Sequence, residues 1–130
     1  MGNLYEEEHL PTGEIKKRNY IFAGDGAIAI NEQSTTSGET LRYLHKDHLG
    51  SIMAYSDKTR ALVQELSYDA WGKRRRCDTW AYALNIADFN AWHARGFTAH
   101  EHLDIFEMIN MDGRMYDPVL GRFLSPDPFV

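Results

Sequence analysis

Two close pairs of histidines are the residues of this sequence best suited by type to bind a metal ion. Neutral imidazole is the commonest metal ligand in proteins, and His45 lies near His48 as His100 lies near His102. In a strand, His100 and His102 would share one face and Glu101 would point away from it. Neither pair has a third ligand at a clear spacing, so the sequence favours hydrogen-bonded histidines. We expect no metal and no cofactor.

Three tryptophans indicate a second kind of chemistry, which is stacking on sugar rings. A carbohydrate platform needs exposed rings, and Trp71, Trp80 and Trp92 all have apolar neighbours in the sequence. Those neighbours favour packing in a core. A carbohydrate-binding platform stays open as the alternative.

The charge of the chain argues against a nucleic-acid surface. The 130 residues carry a formal charge of -5 and 43% are apolar, which is ordinary for one globular domain. A nucleic-acid surface would need a basic face, and the main basic run is Lys73 to Arg76. We interpret this run as a solvated strand end. No apolar run approaches the roughly 20 residues of a membrane span, and no signal peptide begins the chain.

Cys77 is the single cysteine of the chain, so no internal disulfide can form. No histidine stands beside it in a pattern that would make a Cys/His dyad. We therefore expect an idle or packed thiol.

Strands dominate the pattern that must position these residues. We predict strands from Glu14 to Ala23 and from Ala27 to Ile30, joined at Gly24-Asp25-Gly26, followed by a mobile polar loop from Asn31 to Glu39. Further strands are predicted for residues 41–46, 51–56 and 62–68, with a turn after Asp57. Residues 78–95 break this rhythm, because Trp80, Ala83, Leu84 and Ala87 fall at helical spacing, and we predict a short helical insertion there.

Two Asp-x-x-Gly turns recur at a fixed offset, with Gly50 and Gly72 separated by 22 residues. Such recurrence is typical of stacked hairpins, because a two-stranded ribbon cannot cover its own apolar face and needs neighbours. We interpret Tyr68 and Tyr116 as packing units along the sheet. We expect Asp69 and Asp117 to accept hydrogen bonds from turn amides, with ligand binding as the alternative for all four residues.

The last stretch of the chain, residues 110–130, contains the most specific pattern. Tyr116-Asp117-Pro118-Val119-Leu120-Gly121 predicts a turn between two strands, and the return strand begins at Arg122-Phe123-Leu124.

This stretch resembles the end of the core domain of the Rhs family, the YD-repeat proteins that include polymorphic toxins and shell subunits of insecticidal toxin complexes. The matching residues are Asn110, Gly113-Arg114, Tyr116-Asp117-Pro118, Gly121-Arg122-Phe123 and Ser125-Pro126-Asp127-Pro128. Upstream, residues 43–51 resemble the DHLGS signature, with Asp47, His48 and Gly50, and residues 67–72 resemble the YDxxG repeat. Gly96-Phe97-Thr98 with His100-Glu101-His102 also resembles the family. The chain departs from the pattern at three positions, where Ala99 and Glu107 stand for the usual glycine and Asp112 for asparagine.

The resemblance implies a mainly β fold of successive antiparallel hairpins, part of a spiralling YD-repeat sheet. It implies a core-domain fragment over residues 20–130, with repeat hairpins in 40–76, an insertion in 77–95 and the terminal motif in 96–130. Residues 1–19 are then an added start and a lead-in strand.

Toxin-bearing members of the resembled family cut themselves after the core. They use an arginine and an aspartate of the terminal motif together with a second aspartate further along. Arg114 and Asp127 match the first two, and we expect adjacent strands to bring them face to face. Of two close carboxylates, one is held protonated, while Arg114 would keep its partner ionised. Because the second aspartate would lie after residue 130, we predict that this chain is not an enzyme and does not cut itself. A strand-to-strand salt bridge is the alternative role for Arg114.

Three functions follow as hypotheses. The first is a structural module at the end of a β-shell that encloses a C-terminal effector, in a parent that is secreted or on the surface of a bacterium. The second is a surface module that binds carbohydrate or contacts cells, and the third is a metal-dependent enzyme. The expected partners are the rest of the same shell and its effector, and also a second copy through open edge strands or exchange of Asn3 to Ile15. Nucleic acid and a membrane span are not expected.

Overall fold

The computed structural model describes residues 4–24, 26–82 and 92–128, and it is mainly β. Contacts divide the chain into two compact units. The first comprises Met1–His45 and Ala54–Val63, and the second comprises Lys46–Met53 and Gln64–Val130. The predicted fold class, a β protein of successive antiparallel hairpins, is confirmed.

The larger sheet has six strands, and most of its residues belong to the first unit. The strands lie in chain order, each beside the next: β1 (Tyr5–His9), β2 (Ile15–Ala23), β3 (Gly26–Ser34), β4 (Gly38–Lys46), β5 (Ile52–Ser56) and β6 (Leu62–Glu65). The first three pairings are antiparallel. This order is that of a meander, which needs only short turns between neighbours.

The core of the first unit contains Tyr20, Ala29, Ile30 and Tyr55. Tyr20 lies opposite Ile30 in the β2–β3 register, which makes an aromatic and β-branched cross-strand pair of the kind that stabilises sheets. Two residues further along the ladder, Arg18 faces Glu32 with 2.7 Å between Nε and Oε2, and both residues are buried.

The mobile loop predicted for Asn31 to Glu39 is wrong. The β3 strand continues to Ser34, the β4 strand begins at Gly38, and only three residues connect them. The polar residues of this stretch fit in strands because they pair across the ladder. Glu32 accepts from Arg18, and Asn31 donates to Glu39. Paired polar residues thus extend a strand that polarity alone would end.

The second unit contains short elements. A two-stranded ladder joins β7 (Ser67–Tyr68) to β8 (Arg74–Arg75), and a four-stranded sheet has the order β12-β11-β10-β9. Those strands are β9 (Glu101–Leu103), β10 (Met108–Asn110), β11 (Met115–Asp117) and β12 (Arg122–Phe123). In the described part of this unit, 3₁₀ turns cover Phe97–Ala99 and Asp104–Phe106. The core of the second unit contains Ile52, Tyr68, Ile109 and Tyr116.

The helical insertion predicted for residues 78–95 falls largely on residues 83–91, which lie outside the described residues. On its N-terminal side, Trp80 has a φ of 61°, so no helix begins at this residue. Within the described ranges, no helix has the length and apolar character needed to cross a membrane.

Candidate functional site

Three five-residue turns with the same hydrogen bonds recur in the described residues. In the turn that begins at Asp47, the carboxylate oxygen Oδ1 accepts from the amides of Leu49 and Ser51, each at 2.9 Å. The amide of Gly50 donates to the carbonyl of Asp47 at 3.1 Å. Each aspartate carboxylate therefore holds its own turn closed, and exposed His48 sits at the second position.

The turn that begins at Asp69 repeats these bonds. Its Oδ1 accepts from the amides of Trp71 and Lys73 at 2.9 and 3.0 Å, and Gly72 donates to the carbonyl of Asp69. Gly50 and Gly72 have φ values of 81° and 97°, which glycine adopts without steric cost.

A third turn of the same kind begins at Asp57, and the sequence pattern did not show its identity with the others. Asp57 Oδ1 accepts from the amides of Thr59 and Ala61 at 2.8 and 3.0 Å. Arg60 occupies the glycine position with a φ of 70°. An Asp-x-x-Gly search misses this turn because its fourth residue is not glycine.

The turn at Asp117 is a variant of this geometry. Asp117 Oδ1 accepts from the amides of Val119 and Leu120, and Gly121 donates to the Asp117 carbonyl at 2.8 Å. The positive φ residue, Gly121, is therefore the fifth residue of the turn.

Two buried tyrosines join these turns to distant backbone. The hydroxyl of Tyr68 donates to the carbonyl of Ile52 at 2.9 Å, and that of Tyr116 donates to the carbonyl of Trp71 at 2.8 Å. Burial, together with the charges of Asp69 and Asp117, raises the pKa of Tyr116. The Tyr116 hydroxyl is therefore a neutral donor. Both hydroxyls connect one repeat to the backbone of an earlier one.

Three glycines allow aromatic rings to touch the backbone. A Cβ atom added at Gly72 would lie 2.5 Å from the Phe97 ring, and one at Gly121 would lie 3.0 Å from the Trp71 indole. A Cβ at Gly96 would lie 2.5 Å from the Tyr68 hydroxyl and 2.9 Å from His102 Nε2. These positions exclude any larger residue without rearrangement.

His102 fixes the loop that carries Gly96 and Phe97. It is buried, and its Nε2 atom accepts from the Phe97 amide at 2.9 Å. The same loop bonds the first repeat turn, because Thr98 donates to Ser51 Oγ and Ile52 donates to the carbonyl of Gly96. Burial lowers the pKa of His102 to about 3, and Arg74 and His100 add to this effect.

The interpretation of the basic run as a solvated strand end is wrong for Arg74. This residue is 4% exposed, its Nε atom donates to Asp104 Oδ1 at 3.1 Å, and its Nη2 atom donates to the carbonyl of Ala94. The Arg74 guanidinium can be buried because it donates hydrogen bonds to a carboxylate and to a backbone carbonyl. Arg76 is exposed and pairs with Asp78, as a solvated end would.

The structure gives Arg114 different partners from those expected. Its guanidinium lies 3.7 Å from the centroid of the Phe123 ring, and its Nη1 atom donates to the carbonyl of Ser125 at 3.4 Å. Among the described residues it forms no ion pair within 4 Å, either with exposed Asp127 or across the strands. The motif therefore brings Arg114 to the backbone just before Asp127 rather than to its carboxylate.

The histidine pairs do not assemble a metal site in the part of the chain that the structure describes. His45 Nε2 is 2.8 Å from Ser56 Oγ, and His100 Nδ1 is 2.7 Å from Thr98 Oγ1. His102 lies in β9 and is buried, whereas His100 lies outside this strand.

The prediction that the tryptophans pack in a core is wrong for two of the three, because Trp71 is 60% exposed and Trp80 is 65% exposed. Each ring is nevertheless covered on part of its surface, Trp71 by Gly121 and Trp80 by the Arg75 guanidinium at 4.4 Å. Cys77 is an exposed free thiol whose pKa is raised by partial burial and by the charges of Glu65 and Asp78, which lowers its reactivity.

The recurring Asp turns and the tyrosine contacts agree with a family comparison. The model of the family described as Teneurin YD-shell matches residues 24–130. The chain belongs to the Teneurin YD-shell family. The resemblance to YD-repeat proteins is thereby confirmed, and the chain is a structural segment of a YD shell, which is part of a larger polypeptide.

Solved structures show the same YD-shell fold at low sequence identity. The crystal structure of TcdB2-TccC3 without hypervariable C-terminal region matches 96% of this chain with a TM-score of 0.62 and 14% identity. The TcdB2-TccC3-Cdc42 crystal structure matches 95% with a TM-score of 0.54 and 15% identity. The chain spans 7% of the length of each. No curated protein matches the sequence.

Proposed function

We propose that this YD-shell segment forms part of the wall of a β-shell that encloses a C-terminal effector domain in a polymorphic toxin-type protein. The observation that carries the proposal is the pair of tyrosine contacts, Tyr68 to Ile52 and Tyr116 to Trp71. These contacts tie each repeat to backbone laid down earlier in the chain. A wall built in this way is continuous, and a continuous wall is what retention of an effector requires.

The proposal has a direct test in a parent polypeptide that carries flanking repeats and the following effector. Limited proteolysis is expected to leave the effector intact in the wild-type parent. In the double variant Tyr68→Phe/Tyr116→Phe, the effector should be cleaved at a protease concentration at least several-fold lower than in the wild type. Tyr82→Phe is the matched control, because its hydroxyl bonds Asp69 at an exposed site. Equal protection in the wild type and the double variant would contradict the wall role of these contacts.

We also propose that Arg114 and Asp127 belong to a self-cleavage site completed by an aspartate further along the polypeptide. The contact of Arg114 with the Ser125 carbonyl supports this role, since it places a guanidinium at the peptide backbone two residues before Asp127. In a polypeptide that continues past residue 130, Arg114→Ala and Asp127→Asn should abolish the cleavage seen in a mass spectrum. Arg122→Ala is the control and should cut normally. The 130-residue chain itself should keep its mass, and specific loss of a C-terminal fragment would contradict that expectation.

Several further assignments rest on the same proposal. Residues 20–130 form the core-domain fragment, with repeat hairpins in 40–76, an insertion in 77–95 and the terminal motif in 96–130. Asp47, Asp69 and Asp117 serve as structural motif residues, which their turn hydrogen bonds support. The parent protein is secreted or displayed on a bacterial surface.

A second candidate function is carbohydrate binding or cell contact, and the exposure of Trp71 and Trp80 favours it. Rings that are more than half exposed can stack on a sugar. Glycan-array binding that is lost in Trp71→Ala, with Trp80→Ala as a second variant, would support this function. An array without any bound glycan would contradict it.

A further inference from the structure

An open groove of about 700 Å³ lies on the first unit, and neither the shell role nor the terminal motif uses it. Its volume is within the range of roughly 300–1,000 Å³ that is typical of small-molecule sites. The lining combines apolar side chains with polar and charged ones. Its main members are Ile28, Tyr43, His45, Lys58, Arg60 and Leu62.

The apolar part of the groove is accessible to a ligand. Ile28, Tyr43 and Leu62 are 41%, 40% and 59% exposed. Three large side chains from different strands that stay this exposed leave an apolar surface to be covered. A ligand therefore needs an apolar body.

The polar part of the groove carries more positive than negative charge. Lys58 and Arg60 line it, and neither forms an ion pair among the described residues. The carboxylate in the lining, Asp57, already accepts from the Thr59 and Ala61 amides, and the Thr59 side-chain hydroxyl leads the interactions that lower its pKa. A ligand therefore needs a negative group.

The backbone conformation of Arg60 is a further feature of this groove. It holds a φ of 70° in a turn whose equivalents contain Gly50 and Gly72. A left-handed backbone is unfavourable at a residue other than glycine, because the Cβ atom lies too close to the following carbonyl oxygen. A strained residue at a concave surface is a signal of function, and Arg60 is one of the residues that line this groove.

We propose that this groove binds a small amphiphilic carboxylate, with its apolar body over Tyr43 and Leu62 and its carboxylate between Lys58 and Arg60. The guanidinium of Arg60 can bind a carboxylate in a bidentate manner. His45, whose Nε2 is 2.8 Å from Ser56 Oγ, also lines the groove and offers a further polar contact.

The net charge of the chain makes this a specific expectation. At a formal charge of -5 the protein as a whole repels anions. Anion binding would therefore report the local arrangement of Lys58 and Arg60 rather than a general attraction.

The test uses decanoate below its micelle concentration, with NMR amide shifts and calorimetry on the 130-residue chain. Decanoate is expected to shift the amides of Tyr43, Ser56 and Leu62 in a saturable manner. Decanol and decyltrimethylammonium, which share the apolar body, should bind at least tenfold more weakly. Glucuronate, which carries a carboxylate without the apolar chain, should also bind at least tenfold more weakly.

Arg60→Gly separates binding from folding. Glycine relieves the left-handed strain, so this variant should unfold at a higher temperature while it binds decanoate at least tenfold more weakly. Lys58→Ala should weaken binding without raising the melting temperature. Unchanged decanoate affinity in Arg60→Gly, equal binding of the cationic analogue, or glucuronate binding in place of decanoate would each overturn the proposal.

Discussion

The hydroxyl of Tyr116 donates a 2.8 Å hydrogen bond to the carbonyl oxygen of Trp71, 45 residues earlier in the chain. Trp71 is the third residue of the turn closed by Asp69, and its indole also packs on Gly121. One YD element is thereby joined to another by a hydrogen bond and by an aromatic contact that a Cβ atom at residue 121 would crowd.

Loss of the Tyr116 hydroxyl should destabilise the chain. We expect Tyr116→Phe to lower the free energy of unfolding by about 1 kcal/mol, the typical net value of one hydrogen bond. Tyr68→Phe removes a more deeply buried bond and should lower it by about 1–3 kcal/mol. Urea unfolding measures both values. Tyr82→Phe should change stability by no more than about 0.5 kcal/mol, and an equal effect in all three variants would contradict the stacking account.

Glycine at left-handed positions should stabilise the chain. Ala99 and Glu107 have φ values of 61° and 53°, and each replaces a glycine of the family pattern. Ala99→Gly and Glu107→Gly should each raise the free energy of unfolding by about 1 kcal/mol, measured by urea unfolding. Asp112→Asn should act in the same direction with a smaller effect, because asparagine tolerates the left-handed region.

The control for these substitutions is Ala54→Gly, which lies in β5 at an ordinary strand position. There glycine only adds backbone freedom to the unfolded chain, so stability should fall by about 0.5–1 kcal/mol. A loss of stability in Ala99→Gly as well would show that the left-handed backbone is not the feature that decides the effect.

The buried imidazole of His102 should make stability fall in acid. Burial lowers the pKa of His102 from its ordinary value of 6.5 to about 3. Between these values the unfolded chain binds a proton that the folded chain does not, so stability is full above pH 6.5 and declines as the pH falls towards 3. The slope assigned to this group approaches about 1.4 kcal/mol per pH unit.

Comparison of variants isolates His102 from the carboxylates that titrate in the same range. In His102→Gln, the side-chain carbonyl can still accept from the Phe97 amide but does not titrate, so the slope between pH 6 and 4 should become smaller. His48→Gln, at an exposed turn position, should keep the wild-type slope. An unchanged slope in His102→Gln would show that this imidazole does not titrate as described.

Open strand edges should make the chain associate. The β1 and β6 strands lie at the two edges of the larger sheet, and an unpaired edge is a template for another strand. Light scattering should show dimers in the micromolar range, formed by edge pairing or by exchange of the segment Asn3 to Ile15.

A lysine on the edge strand should reduce this association. Val63→Lys places a charge on β6 and is expected to shift the equilibrium towards monomer. Val119→Lys, at an exposed turn residue, is the control and should leave it unchanged. A wild-type chain that stays monomeric at all these concentrations would contradict edge pairing.

The hairpins and Asp turns could be predicted from sequence because their signals are local. Alternation gives strands, and Asp with Gly at a fixed spacing gives a turn with a positive φ. The Asp57 turn shows the limit of this reasoning, since Arg60 adopts the same backbone without glycine and leaves no signature.

The buried charges could not be predicted, because their partners are distant in the chain. Arg74 is paired with Asp104, 30 residues later, and Arg18 is paired with Glu32 across a ladder. Arg114 shows the same effect in the terminal motif, since its contact with Phe123 depends on the register of β11 and β12. In all three cases the tertiary structure determines which partner the arginine contacts.

The most direct test of a wall made of mutually supporting repeats is a comparison of urea unfolding between this chain and a longer chain with flanking YD repeats. In a repeat stack each new interface adds stability, so the longer chain should unfold at higher urea, and Tyr116→Phe should lower the midpoint in both. Equal midpoints in the two chains would show that the repeats fold without support from neighbours, and would contradict the account.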